Sequence, residues 1–88
     1  MSSEIRVQQT PNPNAMKYVL PRRVVEGSGS LSFYSAAQAE ADPLAAAVFA
    51  VSGVASVFMA DDFVTVTKQP DAAWDAITPA VVQALSRA

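Results

Sequence analysis

Residues 42–67 read DPLAAAVFAVSGVASVFMADDFVTVT, and this stretch decides the fold class. Asp42 is a good helix N-cap, and Pro43 suits the first helical position, where its missing N–H costs nothing. The larger apolar residues that follow recur every three or four positions, as on one face of a helix: Leu44, Val48 and Val51. Gly53 suits the C-terminal cap. The sequence therefore predicts a helix between Asp42 and Gly53.

The second half of the stretch predicts a β-hairpin. Residues 54–59 and 63–67 are rich in β-branched and aromatic side chains and flank a compact loop at 60–62. The second segment alternates valine with phenylalanine or threonine, which predicts a sheet with one face toward solvent. Phe58 and Met59 are neighbours that point to opposite faces, so we expect at least one of them outside the main core. A small apolar surface patch of this kind is typical of a docking site.

The N-terminal segment predicts another hairpin with an unusual connection. Residues 4–9 alternate in polarity, with Ile5 and Val7 on the face predicted to be buried. A second apolar run covers residues 16–20. Between the two runs, residues 10–14 (TPNPN) cannot join a regular ladder, because the two prolines lack N–H donors and force the preceding residues toward extended conformations. The first two strands are therefore expected to be joined by a stiff turn.

The segment between the two hairpins gives weaker signals. Residues 22–25 can extend the second strand past Pro21. Residues 27–30 (GSGS) are predicted to form a turn or a mobile loop. Residues 31–34 can form a short third strand, and residues 35–41 either one helical turn or a loop.

Residues 72–87 predict a second helix. Their larger apolar side chains share one helical face: Trp74, Ile77, Val81 and Leu85. Pro79 interrupts this pattern, and Thr78 can cap a restart. We therefore expect either one kinked helix or a short helix that leads into a longer one.

Together these elements predict an α+β fold with two layers. A mainly antiparallel sheet of four or more strands is expected to carry two helices on one face, in the order ββ(β)αββα. All 88 residues are expected to form a single domain. The residues expected to supply most of the core are Leu44, Val48, Val51, Val57, Val64, Val66, Trp74, Ile77 and Leu85.

The composition excludes many kinds of function. Six basic and eight acidic side chains give a net charge of −2, a balance that does not favour nucleic-acid binding. Cysteine and histidine are absent, which excludes thiolate nucleophiles, Ser/His/Asp triads and Cys/His metal sites. The first residues lack the apolar stretch of a signal peptide, and no uncharged run is long enough to span a bilayer. We therefore expect a cytoplasmic, non-enzymatic protein that uses no cofactor, membrane or nucleic acid.

Residues 10–18 (TPNPNAMKY) are similar to the TPNPNxxKF-like signature of the Nfu/NifU-like N-terminal domain. Further blocks resemble the rest of that family's pattern: 43–45 (PLA), 48–49 (VF), 53–54 (GV), 56–58 (SVF), 62–68 (DFVTVTK), Trp74, Ile77, Pro79 and Val82. The likeness runs from Ile5 to Leu85 and keeps both order and spacing. The chain thus resembles a stand-alone N-terminal domain of that family.

The resemblance implies a role beside iron–sulfur cluster assembly. In the family's two-domain members, a separate C-terminal domain with a CxxC motif holds the cluster, and these 88 residues contain neither that domain nor a cysteine. Cluster ligation is therefore not carried over to any residue here. What the resemblance implies is an accessory, protein-interaction domain that contacts a carrier, scaffold or client protein. The alternative is a small-molecule-binding or regulatory α+β domain.

The candidate partner-binding residues combine the TPNPN segment with nearby basic side chains: Thr10, Pro11, Asn12, Pro13, Asn14, Lys17, Arg22 and Arg23. Residues 10–14 are either a rigid turn that fixes strand register or an exposed recognition loop, and the two interpretations are compatible. The basic residues, together with Arg6, form either a patch for an acidic partner or scattered solvated charges. Asp61 and Asp62 are interpreted as turn residues rather than as metal ligands or an acid–base pair.

Overall fold

The computed structural model describes residues 5–25 and 29–87, which form a five-stranded sheet and three helices. The elements follow one another as β1 (Arg6–Gln9), β2 (Ala15–Val19), β3 (Ser30–Phe33), α1 (Ala36–Ala39), α2 (Pro43–Phe49), β4 (Val54–Ala60), β5 (Phe63–Lys68) and α3 (Trp74–Arg87). Neighbouring strands are antiparallel and lie in the order β1-β2-β5-β4-β3. The predicted α+β class and the element order are confirmed, and residues 35–41 contain the single helical turn α1.

The sheet buries one face under α2 and α3 and leaves the other face without a helix. On the central strand β5, Val64 and Val66 are fully buried, whereas Phe63, Thr65 and Thr67 alternate with them on the opposite face. The core joins one side of the strands to one side of each helix: Tyr18, Phe33, Val57, Met59, Val64 and Val66 with Leu44, Ala45, Val48, Ile77, Val81 and Leu85. The expected arrangement, with both helices on one face, is confirmed.

Helix α2 begins where the sequence predicts and ends earlier. The Asp42 side chain accepts hydrogen bonds from two N–H groups of the first turn, at 2.9 and 3.2 Å. The helix ends at Phe49, so the prediction that Gly53 caps it is wrong. Gly53 instead lies in the turn into β4 with φ +99°, and a Cβ there would come within 3.0 Å of the Ala72 side chain. Conformation and space both favour glycine at this position.

Helix α3 continues through Pro79 without a second start at Thr78. Thr78 instead places its hydroxyl oxygen 3.0 Å from that of Tyr18 on β2. Pro79 lacks the N–H that would bond the carbonyl of Asp75, and both residues are exposed, so water can supply the missing donor. Of the two arrangements expected for this segment, the structure has the single helix.

The edge strands are less buried than their alternation predicts. Val7 on β1 is 44% exposed and Leu31 on β3 is 40% exposed, although their cross-strand partners lie on the helix-covered side. The helices cover the edge strands less completely than the central ones, so Val7 and Leu31 keep part of their surface in water, whereas Phe33 on β3 is buried. The prediction that Val7 is buried is therefore wrong. Ile5 packs partly against the core, and residue 4 lies outside the described residues.

The chain after β2 folds over the β4–β5 turn instead of extending the strand. The N–H groups of Leu20 and Val24 donate to the carbonyls of Asp62 and Asp61, each at 2.7 Å. These bonds turn the chain away from the ladder, so the predicted extension of the strand past residue 21 does not occur. Part of the loop predicted at 27–30 lies outside the described residues.

Most of the predicted core is buried, with two exceptions. Trp74 and Val51 are only partly buried, since Val51 follows the end of α2 and Trp74 lies at the start of α3. Tyr18, which was not among the predicted core residues, is fully buried. Of the adjacent pair Phe58 and Met59, Met59 is fully buried and Phe58 is 37% exposed on the helix-free face, as expected.

Candidate partner-binding site

The TPNPN loop (residues 10–14) is held by hydrogen bonds of its own polar side chains. The Thr10 hydroxyl lies 2.9 Å from the carbonyl oxygen of Asn12 and accepts a hydrogen bond from the Asn12 N–H at 3.1 Å. The Asn12 Oδ1 accepts from the N–H of Asn14 at 2.9 Å, and the Asn12 carbonyl accepts from the N–H of Ala15 at 3.0 Å. Threonine and asparagine favour such side-chain-to-backbone turns. The loop is thus fixed without burying much apolar surface.

Three hydrogen bonds join the loop to two residues elsewhere in the fold, Lys68 and Trp74. Asn14 accepts from the Lys68 N–H through its carbonyl at 2.8 Å and from the Lys68 Nζ through its Oδ1 at 3.2 Å. The indole N–H of Trp74 donates to the carbonyl of Pro13 at 3.1 Å. Trp74 therefore packs beside the loop and is only partly buried against the core, which corrects the prediction that it is one of the main core residues. The feature of the sequence that could have indicated this position is the indole N–H of tryptophan, which usually has a hydrogen-bond partner when the ring is buried.

A cleft of about 270 Å³, here called the loop cleft, lies between the TPNPN loop and Trp74. Its lining combines apolar rings and stems with amide groups: Gln9, Thr10, Pro11, Asn12, Pro13, Ala15, Met16 and Trp74. Pro11, Asn12 and Pro13 are exposed. Drug-sized ligands occupy pockets of roughly 300–1,000 Å³, so the loop cleft suits one side chain of a partner better than a cofactor.

The eight candidate residues do not form one site. The TPNPN loop precedes β2, whereas Arg22 and Arg23 follow it, so the length of this five-residue strand, about 16 Å, separates them. Lys17 lies between the two ends on the helix-free face, opposite Thr65 of β5. The structure therefore brings residues 10–14 together and leaves the three basic residues apart from them.

The two arginines bind neighbouring parts of the same chain. Arg22 Nη2 donates to the carbonyl of Leu85 at 3.0 Å, in the last turn of α3, where a cation also interacts favourably with the helix dipole. Arg23 lies 3.7 Å from the Asp61 carboxylate in an exposed ion pair, a type that contributes little stability. A second cleft of about 380 Å³ lies here, and its charged lining residues are Arg6, Arg22, Arg23 and Asp62.

Asp61 and Asp62 form the turn between β4 and β5, as predicted. Asp61 has φ +49°, in the left-handed region that aspartate tolerates better than most residues. Within residues 5–25 and 29–87, no group of three or more His, Cys, Asp or Glu side chains could hold a metal ion. The interpretation of these two carboxylates as turn residues is confirmed.

The family described as scaffold protein Nfu/NifU N terminal matches residues 5–88. The chain belongs to this family. It is similar to the mitochondrial NifU-like protein 5 of Arabidopsis thaliana, with 44% identity over 75 residues, 85% of this chain and 27% of the relative. It is also similar to the mitochondrial NFU1 iron-sulfur cluster scaffold homolog of Drosophila willistoni, with 40% identity over 77 residues, 88% of this chain and 27% of the relative.

The fold of this Nfu N-terminal domain matches a structure solved by NMR. A NifU-like protein from Saccharomyces cerevisiae superimposes with a TM-score of 0.84 over 98% of this chain and 77% of that chain, at 27% identity. The chain thus spans about a quarter of the length of the two curated relatives. The family inferred from the TPNPN signature is confirmed, and one of the relatives is named an iron-sulfur cluster scaffold homolog.

The expected cytoplasmic location is wrong. Both curated relatives, which align with 85% and 88% of the chain, are named mitochondrial. The expectation rested on the absence of a targeting signal within these residues, but such a signal is an addition to a folded domain rather than a property of it. In the part of the chain that the structure describes, no helix is long and apolar enough to cross a membrane.

Proposed function

We propose that this Nfu N-terminal domain is a non-enzymatic interaction module of iron–sulfur cluster assembly. It docks a carrier, scaffold or client protein through the loop cleft and holds no cluster itself. The observation that carries the proposal is the TPNPN loop, in which Pro11, Asn12 and Pro13 are exposed although hydrogen bonds fix their backbone. A surface that is fixed before binding loses little conformational entropy when its partner arrives.

The loop cleft offers both components of a protein–protein contact. Tryptophan is enriched among the residues that dominate interface energetics, and here Trp74 forms one wall, with the proline rings as further apolar surface. Asn12 supplies the polar component. In the described part of the chain, the hydrogen bond of its side chain uses Oδ1, so the Nδ2 donor of this exposed residue remains for a partner.

The part of the proposal that assigns no cluster to this domain is supported by the chemistry of the side chains. Iron–sulfur clusters are held by cysteine thiolates, with histidine replacing some of them in certain centres. The 88 residues contain neither residue type. Since the family resemblance assigns the cluster to a CxxC domain, the present domain is proposed to bind next to such a carrier.

The alternative of a small-molecule-binding domain has weaker support. Ligand pockets combine an apolar lining with several convergent polar groups. Among the described residues, Tyr18 carries the one polar group in the buried set, and its hydroxyl already contacts Thr78. Half of the residues that line the loop cleft are exposed, and none is fully buried, which favours a protein partner.

Calorimetric titration with a CxxC cluster-carrying protein of this family, in apo and cluster-loaded forms, tests the proposal. The wild-type domain should bind at least one form saturably. Asn12→Asp keeps the Oδ1 acceptor for the Asn14 N–H and removes the amide donor. This variant should therefore melt within about 2 °C of wild type and bind about tenfold more weakly, a change of about 1.4 kcal/mol.

Gln83→Ala is the matched control, because Gln83 is an exposed polar residue on α3, nine positions and about 13 Å beyond Trp74. Its affinity should match that of wild type. Trp74→Phe, which removes the donor to Pro13, should weaken binding like Asn12→Asp. If both loop-cleft variants bind as wild type does, the loop is architecture and the docking site is refuted. If wild type binds neither form, the association with a carrier is refuted.

A further inference from the structure

The helix-free face of the sheet carries an aromatic pair outside the loop cleft, of which Phe58 is exposed and Phe63 is partly buried. Phe58 on β4 and Phe63 on β5 have ring centroids 6.1 Å apart, with an interplanar angle of 38°. Lys17 on β2 places its Nζ 4.3 Å from the centroid of the Phe63 ring, a cation–π distance. Val19, the cross-strand partner of Phe63, extends the apolar surface onto β2. These four residues are here called the aromatic face.

The aromatic face and the loop cleft lie toward opposite ends of β2. Val19 pairs with Phe63 at one end of the strand, whereas Ala15, next to the TPNPN loop, pairs with Thr67 at the other end. A side chain bound in the loop cleft therefore leaves the aromatic pair uncovered.

The charged side chains that the described strands place on this face are positive. Arg6 on β1 pairs with Val19 on β2. Lys17, two positions before Val19 on β2, points to the same side of the sheet. The uncharged polar residues of the face are Gln8, Ser30, Ser32, Ser56, Thr65 and Thr67. At the adjacent turn, Asp61 lies 3.7 Å from Arg23, and Asp62 lines the second cleft together with Arg6. The described strands thus place two positive and no negative side chains on this face, although the whole chain has a net charge of −2.

We propose that the aromatic face binds an acidic segment of a partner protein in which an aromatic or leucine side chain lies between carboxylates. The apolar side chain packs on Phe58 and removes its exposed ring from water. The carboxylates pair with Lys17 and Arg6. The inference rests on the proposed function in assuming a protein partner, and its test uses no cluster-assembly protein, so each can fail without the other.

Charge complementarity favours this occupant over a second copy of the chain. A two-fold symmetric contact brings the same patch of both copies together, so the cations Lys17 and Arg6 would face like charges, which is unfavourable. A nucleic acid would meet two cations on this face, fewer than the six to ten phosphate contacts, roughly, of tight binders.

The test is an NMR titration of the isotope-labelled domain with the acetylated and amidated peptide Glu-Asp-Leu-Phe-Asp-Asp-Glu. Saturable amide shifts are expected at Lys17, Phe58 and Thr65, with Asn12 and Asn14 unchanged. Two control peptides replace every acidic residue with lysine or replace Leu-Phe with Ser-Ser. Each control should bind at least about tenfold more weakly. Raising the salt concentration from about 0.05 to 0.3 M should weaken the binding of the acidic peptide, because salt screens the attraction between its carboxylates and the two cations.

Two variants separate the apolar from the electrostatic contribution. Phe58→Thr removes the ring and keeps a residue that favours strands, and Lys17→Met keeps the aliphatic stem and removes the charge. Each should weaken binding of the acidic peptide about tenfold. Leu31→Thr is the matched control, since Leu31 is a 40% exposed apolar residue on the opposite, helix-covered side of the sheet, paired with Met59, and it should bind as wild type does. If Phe58→Thr fails to fold, Lys17→Met carries the test.

Each of the following results overturns the inference. The lysine peptide binds as tightly as the acidic one, or the shifts of the acidic peptide fall at the loop cleft. The acidic peptide gives no saturable shift at millimolar concentration. The domain forms a concentration-dependent dimer that Phe58→Thr abolishes, which would assign the face to self-association. An oligothymidylate produces the same shifts at lower concentration than the peptide.

Discussion

Tyr18 joins the two layers of the fold at a single polar contact. Its side chain is fully buried on β2, and its hydroxyl oxygen lies 3.0 Å from that of Thr78 on α3. Burial raises the pKa of Tyr18, and the hydrogen bond with Thr78 offsets part of this rise. The two residues are 60 positions apart, so local patterns in the sequence contain no signal for their contact.

We expect Tyr18→Phe to lower the free energy of unfolding by about 1 kcal/mol near neutral pH, because one partly buried hydrogen bond is lost. The raised pKa of Tyr18 means that its contribution is complete below the unfolded pKa of 10.0 and is lost as the pH rises through the folded pKa. Urea unfolding between about pH 8 and pH 11 measures this. The difference between wild type and Tyr18→Phe should shrink above pH 10.0, and a constant difference would contradict the assignment.

Trp74→Ala should cost about 1–3 kcal/mol of unfolding free energy, less than the roughly 3–5 kcal/mol of a fully buried aromatic. The reason is that the ring packs beside the TPNPN loop and is only partly buried. Trp74→Phe, which keeps a ring and loses the bond to Pro13, should cost about 0.5–1.5 kcal/mol. Urea unfolding compares the two variants. A loss of unfolding free energy above about 4 kcal/mol for Trp74→Ala would contradict this and indicate that the ring is fully buried in the core.

Helices and strands were predictable where their signals are local. The Asp42 cap and the β4–β5 hairpin depend on neighbouring residues, and the structure has both. The errors lie where distant packing decides. Gly53 is required by its approach to Ala72 rather than by the end of α2, and Val7 is 44% exposed on β1, an edge strand that the helices cover incompletely.

We expect Pro79→Ala to raise the free energy of unfolding by about 1–2 kcal/mol. The substitution restores the N–H that bonds the carbonyl of Asp75 and removes the ring from the helix, and a more flexible unfolded chain offsets part of the gain. Pro79 is exposed, so core packing is preserved. Urea unfolding provides the measurement, with the exposed Ser86→Ala as a control expected within about 0.5 kcal/mol of wild type. A less stable Pro79→Ala would show that α3 needs the proline's geometry.

The arrangement of the whole molecule determines which candidate residues meet. The TPNPN loop could be identified because its turn chemistry is local, but its partner Trp74 lies 61 positions from Pro13. The basic residues were considered as one patch, and the strand order separates them. Arg22 reaches the end of α3, and Lys17 lies over Phe63. Such outcomes depend on the order of strands in the sheet and leave no periodic signal in the sequence.

Incubation of the purified domain with iron and sulfide under reducing conditions should give no stable cluster absorbance. The physical reason is that the 88 residues contain no cysteine or histidine, and carboxylates alone are poor ligands for such clusters. A CxxC-containing protein treated in parallel provides the positive control. A stoichiometric cluster on the monomeric domain would contradict the proposed division of roles.

The pairing of β2 with β5 has a consequence for biosynthesis. The two strands of each hairpin are close in sequence, but the pairing of β2 with β5 joins residues that are far apart, such as Ala15 and Thr67. At roughly 5–20 residues per second, translation delays the arrival of β5 by on the order of 3–10 s. Proteolysis of stalled nascent chains should show Tyr18 becoming protected only after β5 has emerged. Because an isolated hairpin is at best marginally stable in water, the first two strands leave the ribosome as an open chain and become a sheet after their neighbour is made.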